Sequence, residues 1–511
     1  MASTGAGSRL GPAAQFPAAR SPATAVAWRP LLAVAAAAAA LLVGTSGRYG
    51  YHRDELYFLV AGRHPDWGYP DQPPLTPVLA RLMDGLGSGS LVALRLPSAL
   101  AAAAVVLLAG LIAHEMGGGR RAQLIAAACA AVSAVTLVTG HFVSTTTYDL
   151  LFSTLLCWLL ARAVRTGEDW LLIPAGLALG FGLLNKTLVG FLAAALLAGA
   201  LIAGPRWLLR SPWLVGGAAV AVVLGAPYLV WQSLNGWPQL EMSRVISADG
   251  DQGGRIGFLP FQLLLVSPVL VPVWVAGLVR LLRAPAARPM RFLGAGYLLL
   301  AAFYLVIGGK ADYLAGCYPA LLAAGAIPTD RWLAAGAGRL RSRLLVTAIA
   351  LSAVVGAVVG LAVLPARALG PVLAVNKEAG EQVAWPRYVE TVAGVWSGLT
   401  RSQQATGLIV TGNYGEAGAI ERYGPALGLP LPYSGHNGFA RWRQPAGAAG
   451  PIVVVGYGPD RVGQFFASCR QQATLDNGLG LDTDEQGAPV WLCDFPVKPW
   501  SQLWPELTHL S

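Results

Sequence analysis

The segment Trp28–Ser46, WRPLLAVAAAAAALLVGTS, carries one charge, Arg29, at its very start, and ten further apolar runs follow it before residue 365. A run of roughly 20 mainly apolar residues is what a helix needs to cross the hydrocarbon of a bilayer. Backbone in lipid must satisfy its own hydrogen bonds, so such runs fold as helices. They lie near 28–46, 91–112, 122–140, 149–164, 171–185, 188–204, 213–231, 260–280, 292–308, 313–328 and 343–364. The chain therefore reads as a polytopic α-helical membrane protein with about 11 transmembrane helices. Composition agrees: 55% of the 511 residues are hydrophobic and 12% charged, outside the range of soluble domains. The net charge of +10 does not mark a nucleic-acid binder, because the basic residues are scattered singly and in pairs between the runs.

Their distribution sets the orientation instead. Arginines gather in alternate connections, at 120–121, 162–165, 206–210, 280–291 and 331–343, while most acids fall in the other set. The arginine-rich side is expected to be cytoplasmic. An odd number of spans then puts the two ends on opposite sides, with the connection after the first run outside. A cleaved secretory signal is the competing reading of the start, and it leaves that connection outside as well. Residues 1–27, rich in Ala, Gly, Pro and Ser, are expected to be a disordered cytoplasmic tail.

Beyond residue 364 the pattern changes to short β-prone runs, GLIVTG, PIVVVGYG and APVWLCDF, separated by Gly and Pro turns. The organisation read from this is a transmembrane part over 28–364, with a first external loop at 47–90, and a soluble extracytoplasmic α/β domain over 365–511. Cys469 and Cys493 fall in that domain and could pair in an oxidising compartment, whereas Cys129, Cys157 and Cys317 lie in apolar runs. Gly412, Gly415 and Gly418 are spaced by three, which is not the dinucleotide fingerprint.

The first external loop concentrates the polar chemistry. Asp54 and Glu55 follow the first span at once, and an acid so close to the bilayer asks for a reason. A carboxylate there can take a proton from a sugar hydroxyl or hold a divalent cation. His64, Trp67, Tyr69 and Asp71 follow in the same loop, and the aromatic faces suit stacking on sugar rings, although interfacial aromatics are common without that role. Leu75, Val78, Leu79, Leu82, Met83 and Leu86 then recur at helical spacing after Pro73 and Pro74, which predicts a helix lying along the membrane surface. A second signal is lysine. The chain has Lys186, Lys310, Lys377 and Lys498 and otherwise uses arginine; the first two stand at outer span ends, against the inside bias. A compact cation at headgroup depth can hold a phosphate oxygen, and simple snorkelling is the plainer alternative. His141 to Asp149 is a polar turn on the same side.

These stretches together, RDELYFLVAGRHPDWGYPDQPPLTP after the first span, NK at 185–186, GGKADYLAGCYPALLAAGA from 308, NYGEAGAIERYG and SGHNGFARW near the end, resemble glycosyltransferase family 39. That family holds bacterial relatives of dolichyl-phosphate-mannose protein mannosyltransferases and of the lipid A aminoarabinose transferase. The resemblance implies a C-type glycosyltransferase fold and an inverting transfer of a mannose-like hexose or a pentose. The donor would be a polyprenyl-phosphate carrier and the acceptor an extracytoplasmic protein, cell-wall glycan or lipid, at a multi-pass protein of the bacterial plasma membrane. It maps the family's base onto Asp54, with Glu55 as a neighbour or metal-assisting ligand, and its carrier-phosphate lysine onto Lys310. Lys186 and Arg63 are further candidates for the phosphate, and His64, Trp67, Tyr69, Asp71 and Tyr313 for sugar or acceptor. Tyr313 stands alone where relatives often place paired tyrosines. No cofactor is required by this reading, and a divalent cation is left open. A flippase for a lipid-linked sugar would need two matching halves with polar groups near mid-membrane, and the sequence shows neither.

Overall fold

The computed structural model describes residues 25–249, 254–336, 338–447 and 450–510. Most of the expected tail, residues 1–24, lies outside the described residues.

Sixteen helices, α1 to α16, build the apolar body among the described residues. They are α1 Trp28–Ser46, α2 Arg53–Ala61, α3 Leu75–Leu86, α4 Leu91–Glu115, α5 Arg120–Ala131, α6 Ala134–His141, α7 Thr145–Thr166, α8 Leu172–Leu183, α9 Leu188–Ala203, α10 Pro212–Leu234, α11 Pro238–Asp249, α12 Gly254–Val266, α13 Val271–Arg283, α14 Arg291–Ile307, α15 Tyr318–Ala334 and α16 Gly338–Gly360. Among the described residues six helices are long and apolar enough to cross a membrane, and up to eight if each bent pair is one span. The bent pairs are α5 with α6, at 54°, and α12 with α13, at 81°, where single spans were expected near 122–140 and 260–280. The expected spans near 171–185, 188–204 and 313–328 appear as α8, α9 and α15, of 12, 16 and 17 residues. Glycines explain how tightly this body closes: a Cβ on Gly277 or Gly325 would lie 2.0 Å or less from a backbone oxygen of the partner helix, so α13 and α15 meet backbone to backbone.

Helix α4 sets the scale. Its 25 residues, about 37 Å long, run from buried Arg95 near one end to buried Glu115 at the other. Glu115 is paired there with Arg162 and Arg165 of α7. Two charged layers are thus held apart by an apolar slab of membrane dimensions.

Helix α3 forms where the apolar spacing predicts it. It buries Thr76, Pro77 and Ala80 and turns Val78, Leu82 and Leu86 outward.

The C-terminal region holds a five-stranded sheet, β1 Leu408–Thr411, β2 Tyr433–Ser434, β3 Ile452–Val455, β4 Arg470–Thr474 and β5 Pro489–Cys493, in the order β2-β1-β3-β5-β4. The first three strands are parallel and the last two antiparallel additions. All four residues of β3 are buried, as expected for a short continuous apolar run at a sheet centre. Cys469 and Cys493 form a disulfide across 24 residues.

This domain does not hang free. One hydrophobic core takes Tyr51, Leu56, Tyr57 and Phe58 from the first loop together with Trp385, Val389, Ile409 and Ile420 of the soluble domain. Full burial of such a side chain is worth about 1.5–3 kcal/mol, so the loop and the domain stabilise each other.

Candidate functional site

The site starts at the N-terminus of α2. His52 caps the helix: its Nδ1 accepts from the Asp54 backbone N–H at 3.2 Å, and Glu55 returns the bond by accepting from the His52 backbone N–H at 2.8 Å. A helix N-terminus favours negative charge, so Asp54 and Glu55 stand where the backbone dipole lowers the cost of two carboxylates.

The two acids then part company. Glu55 is fully buried and turns inward to Arg95, itself fully buried, which donates to both its oxygens at 2.9 and 2.8 Å. The Val143 backbone N–H takes another lone pair at 2.9 Å. Arg95 also donates to the carbonyls of Ser46 and Gly50 and to Gln382. Glu55 and Arg95 therefore tie together the end of α1, the loop, α4 and the soluble domain.

Asp54 stays at the surface, its side chain 33% exposed. Its Oδ1 accepts from the Tyr414 hydroxyl of the soluble domain at 2.8 Å, and its Oδ2 lies 4.0 Å from His52 Nδ1. His52 Nε2 is 2.9 Å from Glu378. Burial disfavours charge on His52, but its bond to Glu378 outweighs that and raises it, and the same bond, helped by Arg53 and Lys310, holds Glu378 down to about 2. Arg53 stacks on the Tyr414 ring at 4.7 Å and pairs with Glu381 and Asp484 at 3.5 and 3.1 Å.

The lysines approach from the other side. Lys186 donates to Thr146 Oγ1 at 3.0 Å and lies 5.5 Å over the Tyr313 ring. Its neighbour Asn185 is buried and pins Thr76 of α3 to the Thr145 carbonyl of α7. Lys310 precedes the 3-10 segment Ala311–Cys317, and Tyr313 donates its N–H back to the Lys310 carbonyl. Lys310 is also among the charges acting on Glu378, which is bound to His52 beside Asp54. Lys186, Tyr313 and Lys310 are thus linked to one another, and the charge of Lys310 acts on the Glu378–His52 pair beside Asp54.

The remaining loop residues gather at the far end of α2. Asp71 accepts from the Tyr57 hydroxyl at 2.6 Å, and burial pushes its carboxyl up to about 7 against that bond. His64 stacks on Trp442 at 5.0 Å, and burial with Arg443 and Arg63 lowers its proton affinity. Tyr69 is buried and spends its hydroxyl on the carbonyls of Ala61 and His64. Trp67 is 60% exposed. Arg63 lies 3.9 Å from Asp84 and from Glu421, in an ion-pair cluster with Arg422 and Arg443. That cluster, and not the lysine surface, is where its guanidinium goes.

A metal fits this donor set poorly. Glu55 is taken up by Arg95 and two backbone N–H groups, and among the described residues no group of three or more His, Cys, Asp or Glu is arranged to hold an ion.

Sequence reasoning did not single out His52, Arg95, Glu378 or Tyr414. Arg95 left a signal, since a lone arginine inside an apolar run demands a partner. Tyr414 lies in a quoted stretch, but its partner is 360 residues away.

The fold is similar to that of membrane-embedded glycosyltransferases of known structure. Residues 71–231 match the family model of dolichyl-phosphate-mannose-protein mannosyltransferase, a stretch that begins beyond Asp54. Among solved structures the chain is similar to ArnT from Cupriavidus metallidurans, in the apo state and bound to undecaprenyl phosphate. Those matches have TM-scores of 0.56 and 0.57 at 16% identity, covering 90% of this chain and 97% of that one. It is also similar to the arabinofuranosyltransferase AftD from Mycobacteria, at a TM-score of 0.52 and 15% identity over 92% of this chain and 40% of that one. No curated protein matches in a direct sequence comparison. The resemblance to glycosyltransferase family 39 is borne out.

Proposed function

We propose that this chain is an inverting glycosyltransferase that moves a sugar from a polyprenyl-phosphate carrier to an acceptor outside the plasma membrane, with Asp54 as general base. The observation that carries the reading is the split between the two adjacent acids: Glu55 is consumed by Arg95, while the Asp54 carboxylate stays partly exposed. The ArnT structure bound to undecaprenyl phosphate supports a carrier of that class. The Cys469–Cys493 disulfide supports an oxidising compartment for the soluble domain.

In the proposed step the acceptor oxygen attacks the anomeric carbon as the bond from that carbon to the phosphate oxygen breaks. The acceptor proton passes to Asp54. Charge grows on the departing lipid phosphate, and Lys310 and Lys186, fixed at the membrane edge, lower the barrier by facing it. The prenyl tail stays in the bilayer throughout, which is why the site belongs at its surface. Whether the sugar is a hexose or a pentose is decided by the product.

Mass spectrometry of glycoconjugates from a deletion strain identifies that product as the species lost and then restored by the wild-type gene. Asp54→Asn is expected to restore it about 10²- to 10⁴-fold more slowly. Restoration at the wild-type rate would remove Asp54 from the base role, and a deletion strain that loses no glycoconjugate would end the transferase reading.

A further inference from the structure

Tyr414 reaches the site from the soluble domain. Its hydroxyl donates to Asp54 Oδ1 at 2.8 Å. The ring is gripped by Arg53 at 4.7 Å, Tyr57 at 5.1 Å and His436 at 4.8 Å. Its backbone is fixed as well, because Tyr414 opens the Tyr414–Tyr423 helix behind a capping box of Asn413 and Glu416. The helix leaves the carboxyl end of β1, the edge along which parallel α/β sheets carry their sites.

We infer that Tyr414 is a positioning residue for the transfer step: its hydroxyl fixes one oxygen of Asp54 so that the other is presented to the acceptor hydroxyl. The soluble domain thereby completes the site and does more than select an acceptor. This rests on Asp54 being the base proposed above. Burial and the charge of Asp54 hold the Tyr414 phenol well above its ordinary range, so it remains the donor over the whole working pH range.

Tyr414→Phe removes one oxygen and keeps the ring against Arg53, Tyr57 and His436. The assay uses full-length protein in vesicles from the deletion strain and the host's own lipid-linked sugar pool. It follows the initial rate of forming the product identified above, normalised to protein present. The variant is expected to lose about tenfold in rate, the scale of one hydrogen bond to a charged group, with a melting temperature close to that of wild type. Asp54→Asn runs beside it. If that variant is inactive while Tyr414→Phe matches wild type in rate, the inference falls and the transferase reading stands. A loss of rate that comes with a lower melting temperature would make Tyr414 a packing residue and also overturn it. If Asp54→Asn is as active as wild type, the base assignment itself has failed.

Discussion

At the scale of single residues, neighbouring acids in one sequence pair have opposite fates, and each can be tested separately. Glu55→Gln would turn an amide N–H₂ towards the N–H donors of His52, Val143 or Arg95 and leave the Arg95 guanidinium buried without its counter-charge. Breaking a buried pair from one side costs about 3–5 kcal/mol. The variant is therefore expected to show a much lower melting temperature by size-exclusion after heating, with near-normal turnover per folded molecule; unchanged stability with lost turnover would instead place Glu55 in the chemistry. Asp71 makes a pH prediction. Its carboxyl is raised from 3.8 to about 7, first by burial, so between those values the folded state binds the proton more tightly than the unfolded chain. Stability tied to Asp71 must then fall as pH rises through that interval. Asp71→Asn should flatten the fall, melting at a higher temperature than wild type at pH 8 and showing no such gain at pH 4. Asp54 was legible in the sequence because an acid beside a span is costly wherever it points. The role of Glu55 was not, since Arg95 is 40 residues away and only the folded chain brings them together.

At the scale of elements, the three-residue glycine spacing in the Tyr414–Tyr423 helix has a packing explanation. A Cβ on Gly418 would lie 2.9 Å from the Leu56 Cβ of α2, and one on Gly415 would lie 3.1 Å from the Arg53 Cβ. The glycines let the two helices meet at the height of Asp54. Gly418→Leu should push them apart, separate Tyr414 from Asp54 and depress transfer at least tenfold by the vesicle assay. Gly463→Leu, where a Cβ would meet nothing within 4 Å, should leave the rate unchanged. Equal activity in both variants would show that the close approach is dispensable. Periodicity placed α3 and the long apolar helices well, because one apolar face or twenty apolar residues in a row leave little choice. It could not anticipate the bends in α5 with α6 and α12 with α13, which depend on how neighbouring helices fill the space.

At the scale of the whole molecule, the apolar helical body and the C-terminal sheet region meet along a polar seam. Its contacts are Asp54 with Tyr414, Tyr57 with the Gly438 N–H, Tyr51 with Arg422, Arg53 with Asp484, and His52 with Glu378. The change of composition near residue 365 made the domain visible in the sequence, but no local pattern reports partners more than 300 residues apart. The His52–Glu378 pair gives the seam a pH signature. Glu378 is lowered from 4.5 to about 2, so its contribution is present above 4.5 and lost as pH falls through about 2. His52 is raised from 6.5, so its contribution is full below 6.5 and lost as pH rises through the raised value. The pair therefore stabilises the seam most between about 4.5 and 6.5. Glu378 is 57% exposed, which makes the effect modest and sensitive to salt. The melting-temperature difference between wild type and Glu378→Gln should peak near pH 5 to 6, narrow towards pH 9 and shrink in high salt. A difference that stays constant across pH would mean that the contact works as a neutral hydrogen bond.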